Sequence, residues 1–317
     1  MKHNLRITFI LISMFLITQF IGLAVQHADV FHMQAEVNGT LQTVSNPQLE
    51  WIQPPEVKTQ GESFSMLGSL IFAFVIAISL LFFLSRFKVE FILKAWFFIV
   101  VVVALFLCFY AFEILVPFVI PPAAAVIIPL VLALPLAYIK IFKREFLIHN
   151  FTELLIYPGI AAVFVPILNI WTIIIFLILI SIYDMWAVWH SGIMQKMAKY
   201  QINKLNIFSG FFVPYVGKKM RMKIKNMKKT LSKSQLKKKK IRVNVAILGG
   251  GDVIFPIMAA GVMLKTFGLG SALFVIFGAT AGLLYLFMRS EKKKFYPAMP
   301  FISAGIFAGM VLSWLVL

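Results

Sequence analysis

The chain contains three aspartates, and two of them, Asp184 and Asp252, stand inside long apolar runs. An ionised carboxylate within a bilayer is costly enough that it needs a functional reason. Two carboxyls brought together in a low dielectric cannot both ionise easily. They share a proton, so one serves as general base and the other as general acid. Such a pair could activate a water against a peptide carbonyl and then protonate the leaving amine. Asp252 follows three consecutive glycines, Gly249, Gly250 and Gly251. Glycines remove side chains and let another backbone approach. A phosphate-binding glycine loop is not the reading, because no Gly-Lys-Ser/Thr follows and the stretch is apolar. Tyr183 precedes Asp184; its hydroxyl could bond at the site, or its ring could be an interfacial aromatic. A further feature is Pro297-Ala298-Met299-Pro300. Prolines lack the amide donor and disfavour helix before them, so a short extended segment is expected there.

The elements that must carry these residues are membrane spans. The chain has 317 residues, 61% hydrophobic and 13% charged, with a mean hydropathy of +0.92. That composition excludes a soluble domain. A helix crosses a bilayer core in about 20 apolar residues. Nine runs qualify: 6–25, 66–84, 95–115, 118–139, 152–168, 169–190, 242–264, 271–288 and 301–317. The fifth and sixth are divided near Pro166 and Asn169, since one helix of their joint length would overrun the bilayer and proline weakens a helix there. The first run is read as an uncleaved anchor rather than a signal peptide, because its apolar stretch is long for an h-region. The expected fold is therefore all-α and polytopic, organised as helices 1–6 over residues 1–190, a basic loop over 191–241, and helices 7–9 over 242–317. The loop over 26–65 lies on the opposite side to the basic loop.

The net charge is +18. In so apolar a chain it speaks for orientation and anionic lipid rather than nucleic acid. With the N-terminus inside, 28 of the 30 Lys and Arg residues fall on alternate, inside segments, sixteen of them between Lys196 and Arg242. Only Lys58 and Lys265 fall outside. The expected topology is N-in and C-out. The lysine-rich part of 191–241 is expected to be partly solvated and partly laid on anionic lipid, and the apolar patch 208–216 to lie at the interface. Asn38-Gly39-Thr40 matches a glycosylation acceptor but is common by chance. At 1.5 Å per residue, Asp184 lies about 9 Å and Asp252 about 15 Å from the inside face, six residues before the end of one span and ten after the start of the next. Antiparallel neighbours could bring the two together.

In order and spacing these motifs resemble the presenilin and signal-peptide-peptidase superfamily, whose pattern is Tyr-Asp in the sixth span, Gly-x-Gly-Asp in the seventh and Pro-Ala-Leu before the ninth. Here the motifs are Tyr183-Asp184, Gly249-Gly250-Gly251-Asp252 and Pro297-Ala298-Met299. Met299 replaces leucine at similar volume. The N-in orientation and Pro300 are similar to the presenilin branch, and the chain length resembles an archaeal presenilin homologue. The resemblance implies a presenilin-like fold and an intramembrane aspartyl protease. Its catalytic pair would be Asp184 and Asp252, with Tyr183, the three glycines and Pro297 to Pro300 supporting the site or the substrate. It implies transmembrane segments of other proteins as substrates, no cofactor or metal, and no need of accessory subunits. A helical substrate must unwind before attack, and the Pro-Ala-Met segment would pair with it as a strand.

The competing reading is a proton- or cation-coupled transporter, which intramembrane aspartates and a glycine-broken helix also suit. The first half carries no second aspartate-and-glycine pair of the kind an inverted repeat would bring. The five histidines show no His-Glu-x-x-His spacing and no serine lies in Gly-x-Ser-x-Gly, which disfavours zinc and serine hydrolases. The single cysteine, Cys108, allows no intrachain disulfide and reads as a small core residue.

Overall fold

The computed structural model describes residues 5–37, 40–57, 59–84, 90–118, 120–143, 145–191, 209–215, 244–290 and 296–317. Most of the basic loop and the Asn38-Gly39 pair lie outside the described residues. Nine helices among the described residues are long and apolar enough to span a membrane. They are α1 (Leu5–Ala28), α2 (Gln60–Leu84), α3 (Glu90–Leu115), α4 (Pro122–Tyr138), α5 (Phe146–Phe164), α6 (Ile170–Trp186), α7 (Gly250–Phe267), α8 (Leu269–Arg289) and α9 (Met299–Val316). α4 and α6 each run on into one π-helical turn, Ile139–Lys143 and Ala187–Ser191.

The division between α5 and α6 falls where the sequence puts it. A 3-10 turn, Val165–Ile167, holds Pro166. Asn169 then caps α6: its Oδ1 accepts the Thr172 amide at 2.9 Å, while Thr172 Oγ1 accepts the Asn169 amide at 2.8 Å. This reciprocal box satisfies two of the donors that every helix start leaves open.

Two antiparallel ribbons interrupt the helices. β1 (His32–Val37) pairs with β2 (Thr40–Ser45), and β3 (Gly210–Tyr215) pairs with β4 (Asn244–Gly249). The second corrects one expectation. Residues 244–249 are not the first turns of a spanning helix but a strand, so the seventh span starts at Gly250. Most of the patch expected at the interface is its partner strand. Val245 and Ile247 are β-branched and alternate with buried Ala246 and Leu248, a period of two that suits a half-buried strand.

Packing centres on α5, where 61% of the apolar window is buried, against 11% for α2. One apolar cluster joins α1, α5, α6, α7, α8, α9 and the β3–β4 ribbon. A second joins the C-terminal end of α1, the loop after it, α3, α4 and α5. Asn46 fixes that loop by donating to Val30 O and the Tyr110 hydroxyl, both at 2.9 Å. α8 and α9 meet along two small-residue seams, Gly278 with Gly282 and Gly305 with Gly309. A Cβ at any of the four would collide with the backbone of the facing helix. This is how helices associate where lipid offers no hydrophobic contrast.

Candidate active site

Asp184 lies in the last turn of α6 and is 8% exposed. Its Oδ2 accepts the Met299 amide at 3.0 Å, and the Ala298 amide is also directed at it. Met299 is the first residue of α9 and Ala298 its N-cap. The amides of a first helical turn have no partner inside the helix and carry its positive end, so they suit a carboxylate. The start of α9 thus holds Asp184. This corrects the extended shape expected over 297–300. Ala298 is already αR and α9 begins at Met299, so within 297–300 only Pro297 lies outside the helix and its cap. The Met299 amide is occupied by Asp184 and is not open to a substrate strand.

Asp252 belongs to the first turn of α7, not ten residues into it. Gly249 is the N-cap, so Asp252 occupies the third helical position, from which an acidic side chain reaches back to the N-cap amide. That bond to Gly249 is present. Pro256, four residues on, has no N–H and leaves the Asp252 carbonyl without its helical donor. Asp252 is half-buried and interacts electrostatically with Asp184. The two carboxyls thus stand at the end of α6 and the start of α7 within electrostatic range of each other, with a strand-to-helix turn where two uninterrupted helices were expected.

The three glycines differ in what surrounds them. A Cβ on Gly250 would lie 2.8 Å from Ser209 Oγ and from the ring and hydroxyl of Tyr157, which is too close. On Gly249 it would lie 3.2 Å from Asp252 Oδ2, and on Gly251 3.4 Å from the Phe255 ring, an ordinary contact. Tyr183 meets Phe74 of α2 edge-on, with ring centroids 5.8 Å apart. Pro297 is buried and Pro300 lies in the first turn of α9.

Several neighbours escaped the sequence reading. Ser181 Oγ donates to Ser303 Oγ at 2.9 Å, one turn from Asp184, and ties α6 to α9. On α5, Glu153 is buried and accepts from Lys140, which the π turn after α4 carries inward. Tyr157 is buried one turn further along, close to Glu153, Ser209 and Asp252. An ionisable residue inside a span is the signal that could have found Glu153. Asn150 and His149, at the start of α5, reach the ribbon. Asn150 Oδ1 accepts the Phe212 amide and its Nδ2 donates to Phe212 O, both at 2.9 Å. His149 Nε2 bonds Gly210 O at 2.9 Å. Both main-chain groups of Phe212 are thereby turned away from β4. Outward and inward positions alternate in an antiparallel ladder. Gly210, Phe212 and Pro214 therefore face outward on β3, and their register partners Gly249, Ile247 and Val245 face outward on β4.

The sequence profile described as signal-peptide peptidase, presenilin aspartyl protease matches residues 48–317. The chain belongs to this family. It is an integral, multi-pass membrane protein and an intramembrane aspartyl protease, a peptide hydrolase that acts on transmembrane substrates. The fold is similar to two structures of a presenilin family intramembrane aspartate protease. One, in space group C222, is 15% identical with a TM-score of 0.56, covering 98% of this chain and 99% of that one. The other, in space group P2, is 16% identical with a TM-score of 0.54, covering 97% of each chain. No curated protein matches the chain.

Proposed function

We propose that Asp184 and Asp252 are the catalytic pair of this protease. One observation carries the assignment: two intramembrane carboxyls from α6 and α7 interact, each fixed by main-chain amides, Asp184 by the start of α9 and Asp252 by Gly249. With one proton between them, one carboxyl takes a proton from water as the oxygen attacks the scissile carbonyl. The other gives its proton to the nitrogen as the tetrahedral intermediate breaks, leaving a carboxylic acid and an amine. Metal chemistry is not needed for these steps.

The substrate must offer an extended peptide, because a helix keeps its carbonyls in its own hydrogen bonds. The outward edge of β4 supports the place where it would lie. Val245 and Ile247 are 44% and 42% exposed, and the strand leads directly into Gly249 and Asp252. A segment that unwinds and adds to this edge gains main-chain hydrogen bonds in exchange for those of its helix. The slight burial of α2 beside α6 suits lateral approach from lipid. Tyr183, Gly249, Gly250, Gly251, Pro297, Ala298, Met299 and Pro300 are then supporting residues: the glycines shape the turn, and the residues from Pro297 onward present α9 to Asp184. Purified protein should cut a model transmembrane peptide without added subunits. Absence of any cleavage, with ion flux in its place, would return the transporter reading.

The charge split supports an N-in, C-out orientation, with 26–65 outside and 191–241 on the cytosolic side, resting in part on anionic lipid. Single cysteines placed in 191–241 of a Cys108→Ala chain should resist impermeant thiol reagents in intact cells, while those in 26–65 react. Labelling of the basic segment from outside would reverse the topology.

A further inference from the structure

A two-stranded ribbon is marginal by itself, and each of its strands has an outer edge to which another strand could add. On β3 that edge is obstructed at each of its three outward residues. His149 holds the Gly210 carbonyl, Asn150 holds both groups of Phe212, and Pro214 has no N–H to offer. The Asn150 side chain thus imitates a neighbouring strand, one donor and one acceptor against one residue. It is set from behind: Lys140 Nζ approaches His149 Nδ1 at 3.4 Å, which leaves Nε2–H to donate to Gly210, and Lys140 also bonds buried Glu153. On β4, among the described residues, no side chain bonds the outward groups of Val245 or Ile247. The asymmetry matters because β4 alone continues into the Asp252 turn.

We propose that Asn150 is a positioning and specificity-determining residue of the protease: by occupying the outer edge of β3 it fixes the ribbon's register against α5 and leaves β4 as the edge that takes the substrate strand. The inference rests on the assignment of Asp184 and Asp252 given above. It makes register the quantity Asn150 controls. A slip of β4 by two residues keeps its faces but moves the substrate carbonyl past the carboxyls, whereas a slip by one would bury the wrong face.

The test is Asn150→Leu in the full chain, assayed on a model transmembrane peptide with cut positions read by mass spectrometry. Active sites are counted by titration with a hydroxyl-bearing transition-state isostere. The expected result is a fall in kcat per titrated site of about tenfold or more, since misplacement by about 1 Å can cost about 100-fold, with KM changed far less and cuts spread two residues to either side. A purely structural role would lower the number of titratable sites and leave kcat per site and the cut positions as in wild type; that result overturns the proposal. Phe212→Pro supplies a second approach from the ribbon side. It removes the amide that Asn150 accepts from, and because that amide points away from β4 the ladder itself keeps its bonds. It should spread the cuts as Asn150→Leu does, and the double variant should be no worse than either single one. Wild-type cut positions in Phe212→Pro, or full additivity, would refute the tether even if Asn150→Leu yields no folded protein. Asp252→Asn is run beside them: activity surviving there overturns the catalytic pair itself, a different outcome from wild-type behaviour of the Asn150 variant.

Discussion

Asp252 and Asp184 are held in opposite ways. Asp252 is set by its immediate neighbours: a strand ends, Gly249 caps the helix, and the carboxyl turns back to the Gly249 amide three residues earlier. Asp184 has no such local device. It stands in the last turn of α6 and depends on an amide 115 residues away in sequence, at the start of α9. The seam of Gly278, Gly282, Gly305 and Gly309 and the Ser181–Ser303 bond keep that helix start in position. One half of the pair is therefore a matter of local backbone and the other of helix assembly. Mutations near Asp252 should act through a short turn, and those near Asp184 through the packing of α6 and α9.

The largest effect erases the comparison. Asp184→Asn and Asp252→Asn should each reduce cleavage of a transmembrane peptide by at least about 100-fold, the low end for loss of acid–base catalysis. Asparagine keeps the size but cannot exchange the proton. On the proposed shared-proton mechanism the double variant should be nearly as inactive as either single one. Retention of wild-type rates by either would remove that residue from the mechanism. In the wild type, activity should fall at high pH, where the proton the pair shares is lost, and also at low pH, where no carboxylate remains to take a proton from water. The two limbs belong to the pair rather than to one residue.

The glycines sharpen the local half. The family pattern places weight on Gly249 and Gly251, but packing places it on Gly250, where a methyl group would press on buried Tyr157 and on Ser209. Gly250→Ala should lower activity about tenfold to 100-fold, because the turn that carries Asp252 must shift, and should lower the melting temperature as well. Gly251→Ala meets only an ordinary contact and is exposed. Its stability should hold or rise by up to about 1 kcal/mol, as for Gly to Ala in a helix. Any change in cleavage should then appear in the choice of cut site, because the added methyl faces the open side of the turn. Equal thermal destabilisation by both substitutions would show that the close approach at Gly250 is not the constraint.

The same division explains what the sequence made legible. The nine spans, the break between 166 and 169, and the two intramembrane aspartates rest on local hydropathy, on Asn169 as a cap and on residue type, all of which a linear reading reaches. The β3–β4 ribbon does not. Residues 244–249 form an apolar run continuous with the span that follows, and a short apolar run has no periodicity to separate strand from helix. What makes it a strand is Gly210–Tyr215, far back in the chain, held in turn by Asn150 and His149. The start of α9 departs from the sequence expectation for a similar reason. Prolines at 297 and 300 suggested an extended segment, yet proline is at home in a first helical turn, and Asp184 supplies the acceptor that makes the helix start there favourable. Lys140 and Glu153 were passed over because one ends a span and the other stands alone in the next, and only the π turn after α4 brings them together.

The smallest effect is expected at Tyr183, and it tests whether adjacency in a motif means partnership in a site. Tyr183 precedes Asp184, but successive residues on a helix point about 100° apart, and its ring turns to Phe74 of α2 and to Trp186. An edge-on aromatic pair contributes about 0.5–1.5 kcal/mol beyond its area. Tyr183→Phe keeps that pair and removes only the hydroxyl, so kcat/KM should stay within about threefold of wild type, less than a typical acid–base group supplies. Tyr183→Ala removes the α6 ring that meets α2, the least buried of the nine helices among the described residues. Its effect should fall on KM, as α2 loses a contact to α6, while kcat per titrated site is preserved. A loss in Tyr183→Phe approaching that of Asp184→Asn would place the hydroxyl at the reacting atoms. Asp184 would then have a side-chain partner that Asp252 lacks, and the contrast between a locally held and a remotely held carboxyl would need a third member.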